Sequence, residues 1–163
     1  GNCVKGYKRG RKMDESIKQQ KEDLVTQIQE AFSLKEHAAA QYSPLALAYI
    51  GDGIYDLIIR TMVVERGNAR ANKLHHTVSG MVKASAQAKM MHKIEPILSE
   101  EEKAVYHRGR NAKSYTKAKN ASMIDYRHAT GFEALMGYLY LEHRMERIIE
   151  LVKYSLEDEE KHA

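Results

Sequence analysis

From Pro44 to Arg66 the chain reads PLALAYIGDGIYDLIIRTMVVER, a run preceded by Ser43 and followed by Gly67 and Asn68. Serine offers a side-chain acceptor to the first free N–H groups, proline is preset for the first helical turn, and glycine stops the run, so the spacing predicts one long helix. Leu47, Ile50, Ile54, Tyr55, Leu57 and Ile58 spread its apolar surface almost all the way round. A helix of that kind belongs in the middle of a core, so other helices must pack about it. Asp52 sits at its centre, with Asp56 one turn later on the same face. Desolvating an unpaired carboxylate is costly. Gly51 and Gly53 flank Asp52, and each costs about 1 kcal/mol against alanine inside a helix. Close approach by a second helix is the gain expected to offset them.

Residues 125–142 repeat this grammar. Within GFEALMGYLYL, Glu133 is set among apolar residues, with Gly131 before it and Gly137 one turn after. If the two helices cross at those glycines the carboxylates converge, and converging carboxylates repel unless one is protonated or a cation is bound. Oxygen-only ligands favour Mg²⁺ or Mn²⁺ over zinc. The same spacing also admits a structural arrangement, in which Asp52 pairs with Arg60 or Arg127 and Glu133 merely lies at a helix crossing.

The remaining pattern is helical as well. Residues 14–37 place Ile17, Leu24, Ile28 and Phe32 nearly in line; residues 71–95 carry Leu74, Val78, Met81 and Met90 as core positions before Pro96. Ser99 and Glu102 form a capping box for a short helix expected to end at Arg108 and Gly109. Residues 108–121 read as a basic loop, followed by helices over about 125–142 and 145–160. With no strand alternation, repeat or interdomain linker, the expectation is a single all-α domain, a helical bundle over 43–160. It is preceded by an N-terminal helical segment over 13–42 and a flexible basic leader or expression remnant over 1–12. The single cysteine, Cys3, excludes an internal disulfide and a cysteine-based metal knuckle. The absence of a membrane-length apolar run and of a secretory signal makes a cytoplasmic protein with no membrane partner the expectation.

Charge is unevenly placed. Of the net +4, residues 1–12 hold +5 and residues 103–128 hold +6, which leaves an acidic remainder of −7. Two basic islands on an acidic body suit a polyanionic partner. His75 and His76 have no further ligand at metal-binding spacing and read as packing or surface.

Residues 48–55, AYIGDGIY, resemble the ribonuclease III signature, and residues 132–141, FEALMGYLYL, resemble that family's second acidic helix. Between them, RGRNAK at 108–113 is similar to the basic loop of the Mini-ribonuclease III branch, a catalytic domain with no attached double-stranded-RNA-binding domain. The likeness spans residues 43–156. Ala48 and Thr130 stand where ribonuclease III usually carries two further acids; the Mini branch lacks both. The number of ions per site is therefore open, and Asp56 is the nearest extra carboxylate.

The resemblance implies a homodimeric ribonuclease III-type endonuclease domain that cleaves double-stranded RNA with Mg²⁺, Mn²⁺ substituting. Asp52 and Glu133 are then the catalytic metal ligands, the products carry 5′-phosphate and 3′-hydroxyl ends, and the substrate is a ribosomal RNA precursor, of the large subunit. An RNA duplex hides its bases in a deep major groove, so proteins grip phosphates and 2′-hydroxyls. Arg108, Arg110, Asn111, Lys113, Lys117, Lys119 and Arg127 suit that task. His128, beside Arg127, reads equally as an RNA contact or a structural residue. The apolar stretch 57–64 and the third helix are the candidate dimer faces. A catalytically silent RNA-binding protein of the same fold is the competing implication.

Overall fold

The computed structural model of the chain describes residues 22–113 and 122–160, and the regular structure among them is entirely helical. These residues divide into two units between Glu36 and His37. The first contains α1 (Leu24–Ala31), capped by Asp23, whose carboxylate accepts from the Thr26 N–H at 2.9 Å. The helix expected over 14–37 ends early, because Ser33 adopts a left-handed φ of 52° that breaks the helical ladder. The stripe of Leu24, Ile28 and Phe32 is exposed, and Val25 is the buried residue of α1. The basic leader and Ile17 lie outside the described residues.

The second unit contains α2 (Pro44–Arg66), α3 (Ala71–Val82), α4 (Ala84–Ile94), α5 (Glu100–Asn111), α6 (Met123–Leu141) and α7 (Met145–Glu160). Its hub is α6, which packs against α2, α5, α4 and α7 and buries Phe132, Leu135, Met136 and Leu139 completely. The expectation that α2 lies in the middle of the core is therefore corrected. One flank of α2 buries Leu47, Ala48, Gly51, Ile54, Tyr55 and Ile59. The other leaves Leu57 and Val64 exposed and Tyr49 85% exposed, with Val64 lining a groove between α2 and α3.

Two further boundaries differ from the sequence pattern. The helix expected over 71–95 is two helices, broken where Lys83 takes an extended backbone (φ −63°, ψ 154°). Its N–H still donates to the Ser79 carbonyl, its own carbonyl accepts from Gln87 N–H, and the Gln87 side chain donates to the Val82 carbonyl at 2.9 Å. A break satisfied in this way needs neither proline nor glycine.

The helix begun by the Ser99–Glu102 capping box runs past Arg108 and Gly109 to Asn111. Gly109 is spent on packing: a Cβ there would lie 2.7 Å from Ala134 Cβ and 2.9 Å from Gly131 Cα. The basic loop is correspondingly shorter at its start, and residues 114–121 lie outside the described residues. Among the described residues no helix is long and apolar enough to cross a membrane.

Candidate active site

Helices α2 and α6 cross backbone to backbone. A Cβ on Gly51 would stand 1.7 Å from the Glu133 carbonyl oxygen and 2.8 Å from the Gly137 nitrogen; one on Gly137 would stand 1.9 Å from the Leu47 carbonyl oxygen. Only glycine permits this approach. Gly53 has open space where its Cβ would be, so packing requires only the first of the two glycines beside Asp52.

The crossing brings the carboxyls of Asp52 and Glu133 together. Burial, then the charge of Asp52, then a hydrogen bond with Asp52 push the Glu133 carboxyl up to a pKa of about 8. Asp52 itself is exposed, which corrects the expectation of two buried acids; Glu133 is the half-buried member of the pair. Arg60 Nε donates to Asp56 at 2.8 Å, and among the described residues no basic side chain pairs with Asp52 or Glu133. The arrangement in which Arg60 neutralises Asp52 is thus absent, and Asp56 is already occupied.

Two touching carboxyls, one holding its proton to about pH 8 and the other open to solvent, fit a divalent cation, which neutralises both where a proton neutralises one. Among the described residues no group of three or more His, Cys, Asp or Glu converges on a metal position. That donor set of two carboxylates suits a hard divalent ion that keeps several of its waters. Ala48 and Thr130 add nothing to it: both are buried, and the Thr130 hydroxyl donates to the Tyr126 carbonyl at 2.9 Å.

The basic end of α5 is fixed nearby, since Gly109 rests on Thr130, Gly131 and Ala134, the turn of α6 that contains Glu133. Arg108, Asn111 and Lys113 are exposed there, as is Arg127 on α6. Arg110 lies over the Tyr106 ring, 5.7 Å from its centroid, with Nε 3.4 Å from Asn111 Oδ1. Lys117 and Lys119 lie outside the described residues. Sequence reasoning missed Tyr106 and His92 and left His128 undecided; the three are neighbours, and the Tyr106 hydroxyl is hydrogen-bonded to His128 Nδ1. Their one sequence signal is the pairing of Gly109 with Gly131, which marks where an aromatic residue closes on α6.

Residues 45–144 match the family model described as ribonuclease III domain. The Mini-ribonuclease 3 of Clostridium tetani is 50% identical over 114 residues, covering 69% of this chain and 76% of the relative. That of Enterococcus faecalis is 48% identical over 118 residues, covering 71% and 89%. The crystal structure of a Fusobacterium nucleatum protein, 31% identical, covers 73% of this chain and 95% of its own with a TM-score of 0.66.

Proposed function

The chain belongs to the ribonuclease III family, and from that premise we propose that it is an endoribonuclease cutting double-stranded RNA at Asp52 and Glu133, in the manner of its Mini-ribonuclease 3 relatives. The observation that carries this reading is the pair of touching carboxyls at the α2–α6 crossing, with no basic partner among the described residues. Structural acids are paired; these two are left for a cation.

Glu133, held by the glycine crossing, and Asp52, open to solvent, are the residues that would hold a divalent ion, for which Glu133 would have to release its proton. A divalent ion, Mg²⁺ with Mn²⁺ as substitute, supplies an acidified water and a sink for phosphate charge. Water attack of this kind leaves 5′-phosphate and 3′-hydroxyl ends. Arg108, Arg110, Asn111, Lys113 and Arg127, with Lys117 and Lys119, grip the phosphates of the duplex and so hold the scissile bond at the acids. Cutting both strands takes two sites related by a two-fold axis. The exposed apolar flank of α2, with Leu57 and Val64, supports a homodimer built on that face. The substrate assigned is a duplex in large-subunit ribosomal RNA precursor, met in the cytoplasm; this finer assignment rests on the family likeness.

The test is cleavage of a long RNA duplex and of a large-subunit precursor, with and without Mg²⁺. The natural chain is expected to cut only with metal, and Asp52→Asn and Glu133→Gln to abolish cutting while sparing binding. A natural chain that binds both RNAs and cuts neither with Mg²⁺ or Mn²⁺ is instead a silent binder of the same fold.

A further inference from the structure

Round α6 from Glu133 lies a second cluster, of groups with the opposite charge. Tyr106 of α5 is buried and closes over Gly131, where a Cβ would meet its ring carbons at 2.6 and 2.7 Å. Its hydroxyl is hydrogen-bonded to His128 Nδ1, and Arg110 lies across its ring, 5.7 Å from the centroid. His92, exposed on α4, has its ring centroid 4.8 Å from that of His128. Tyr106 thus holds His128 and Arg110, and His128 in turn meets His92, so that groups from three helices come together.

The groups facing His128 are His92 and Glu95 from α4 and the turn after it, Tyr106 and Arg110 from α5, and Asp125 from α6 itself. Among the described residues none of the acids makes an ion pair with Arg110, His92 or His128. Burial, then His92, then Arg110 push the His128 pKa down, against the opposite pull of Glu95 and Asp125. The cluster thus sets a permanent cation, Arg110, beside two imidazoles, and no acid among the described residues forms an ion pair with it. The hydrogen bond with Tyr106 occupies Nδ1 and leaves Nε2 as the His128 ring nitrogen able to donate to an anion.

We propose that Arg110, His128 and His92, ordered by Tyr106, form a phosphate-binding subsite for the backbone of the substrate duplex, on the opposite flank of α6 from the acidic pair. The proposal rests on the double-stranded-RNA reading above. His128 precedes Glu133 by five residues, which turns it roughly 140° round the helix. A helix is about 10 Å across, and an RNA duplex presents phosphates on both sides of its shallow minor groove. The cluster at the start of α6 and Glu133 therefore stand at separate places, and the proposal assigns them different phosphates of one duplex. Arg110 is a permanent cation, whereas His128 adds charge as the pH falls, so the subsite holds RNA more tightly in mild acid.

The test is the affinity of a fluorescent RNA duplex for the full chain, with chelator present so that nothing is cut, at about pH 6 and about pH 8. His92→Asn with His128→Asn is expected to remove roughly tenfold of the tightening at the lower pH, the equivalent of one pKa unit of coupling. Asparagine places an acceptor where Nδ1 met Tyr106, which preserves the packing. Arg110→Gln is expected to lower the slope of log affinity on log salt by about 1. Should the double variant fail to fold, the exposed His92→Asn alone and Arg110→Gln carry the test.

Variants that keep the natural pH and salt dependence overturn the subsite, and leave the nuclease reading standing if the natural chain still binds and cuts. A natural chain that binds no duplex overturns both. His128 ring signals in NMR that respond to inorganic phosphate but not to the duplex assign the cluster to a free anion, and also overturn it.

Discussion

Glu102, buried, and Glu133, half-buried, are glutamates on helices of one bundle, and the molecule treats them in opposite ways. Glu102, 1% exposed, is met by Arg147 Nε and Nη2 at 2.9 and 2.8 Å and by the Ser99 N–H at 2.8 Å. Burial alone would raise its pKa, but these donors win and hold it below the ordinary value. Arg147 also donates to the Ile97 carbonyl at 2.9 Å, so the pair ties the start of α5 to α7. Glu133 is met by another acid, and burial and Asp52 drive it up to about 8. A buried acid is structural where the chain brings its own counter-charge. Where the chain brings a second acid instead, the carboxyl is left holding its proton into the neutral range.

Among substitutions, the largest effect that tests this contrast belongs to the structural pair. Arg147→Ala strands a buried carboxylate and is expected to remove about 3–5 kcal/mol of stability, read by urea unfolding at neutral pH. Because the folded pKa of Glu102 is depressed, its contribution is present above the unfolded value near 4.5 and fades as the pH falls below it. An Arg147→Ala chain as stable as the natural one would erase the contrast.

Glu133→Gln should act in the other direction. A carboxyl whose folded pKa is raised holds its proton more tightly in the native state. Its contribution is therefore full below about 4.5 and is lost as the pH rises towards 8. In chelator the natural chain should lose roughly 4–5 kcal/mol across that window. The glutamine variant should show no such loss and be the more stable of the two at pH 8. Added Mg²⁺ should raise the melting temperature of the natural chain and leave the variant unmoved. Destabilisation by Glu133→Gln at pH 8 would place Glu133 with Glu102 as a structural acid.

The smallest effects come from the two glycines beside Asp52. Gly51→Ala forces the crossing apart and is expected to cost about 1–3 kcal/mol and to flatten the pH dependence due to Glu133. Gly53→Ala meets open space and should gain up to about 1 kcal/mol from helix propensity. Equal melting temperatures for the two variants would show that the close approach does not set the carboxyl pair.

Ser43 with Pro44 and the Ser99–Glu102 box mark helix starts in the sequence because the groups they satisfy lie within three residues of them. Asp52 and Glu133 were legible for a related reason: an acid and a glycine held in an apolar helix each oppose local preference, so together they mark a crossing. The break at Lys83 was not legible, since the freed Val82 carbonyl is satisfied by Gln87 from the next helix. Nor was the passage of α5 through Gly109, where a residue that usually ends a helix serves contact with α6. The exposure of Asp52, the open flank of α2 and the gathering of Tyr106, His128 and His92 were hidden in the same way. Apolar surface states that a helix wants cover, but not which element supplies it or which flank is left without. Local preferences act over three or four residues and are written in spacing, whereas side chains far apart along the chain become neighbours only once the helices pack.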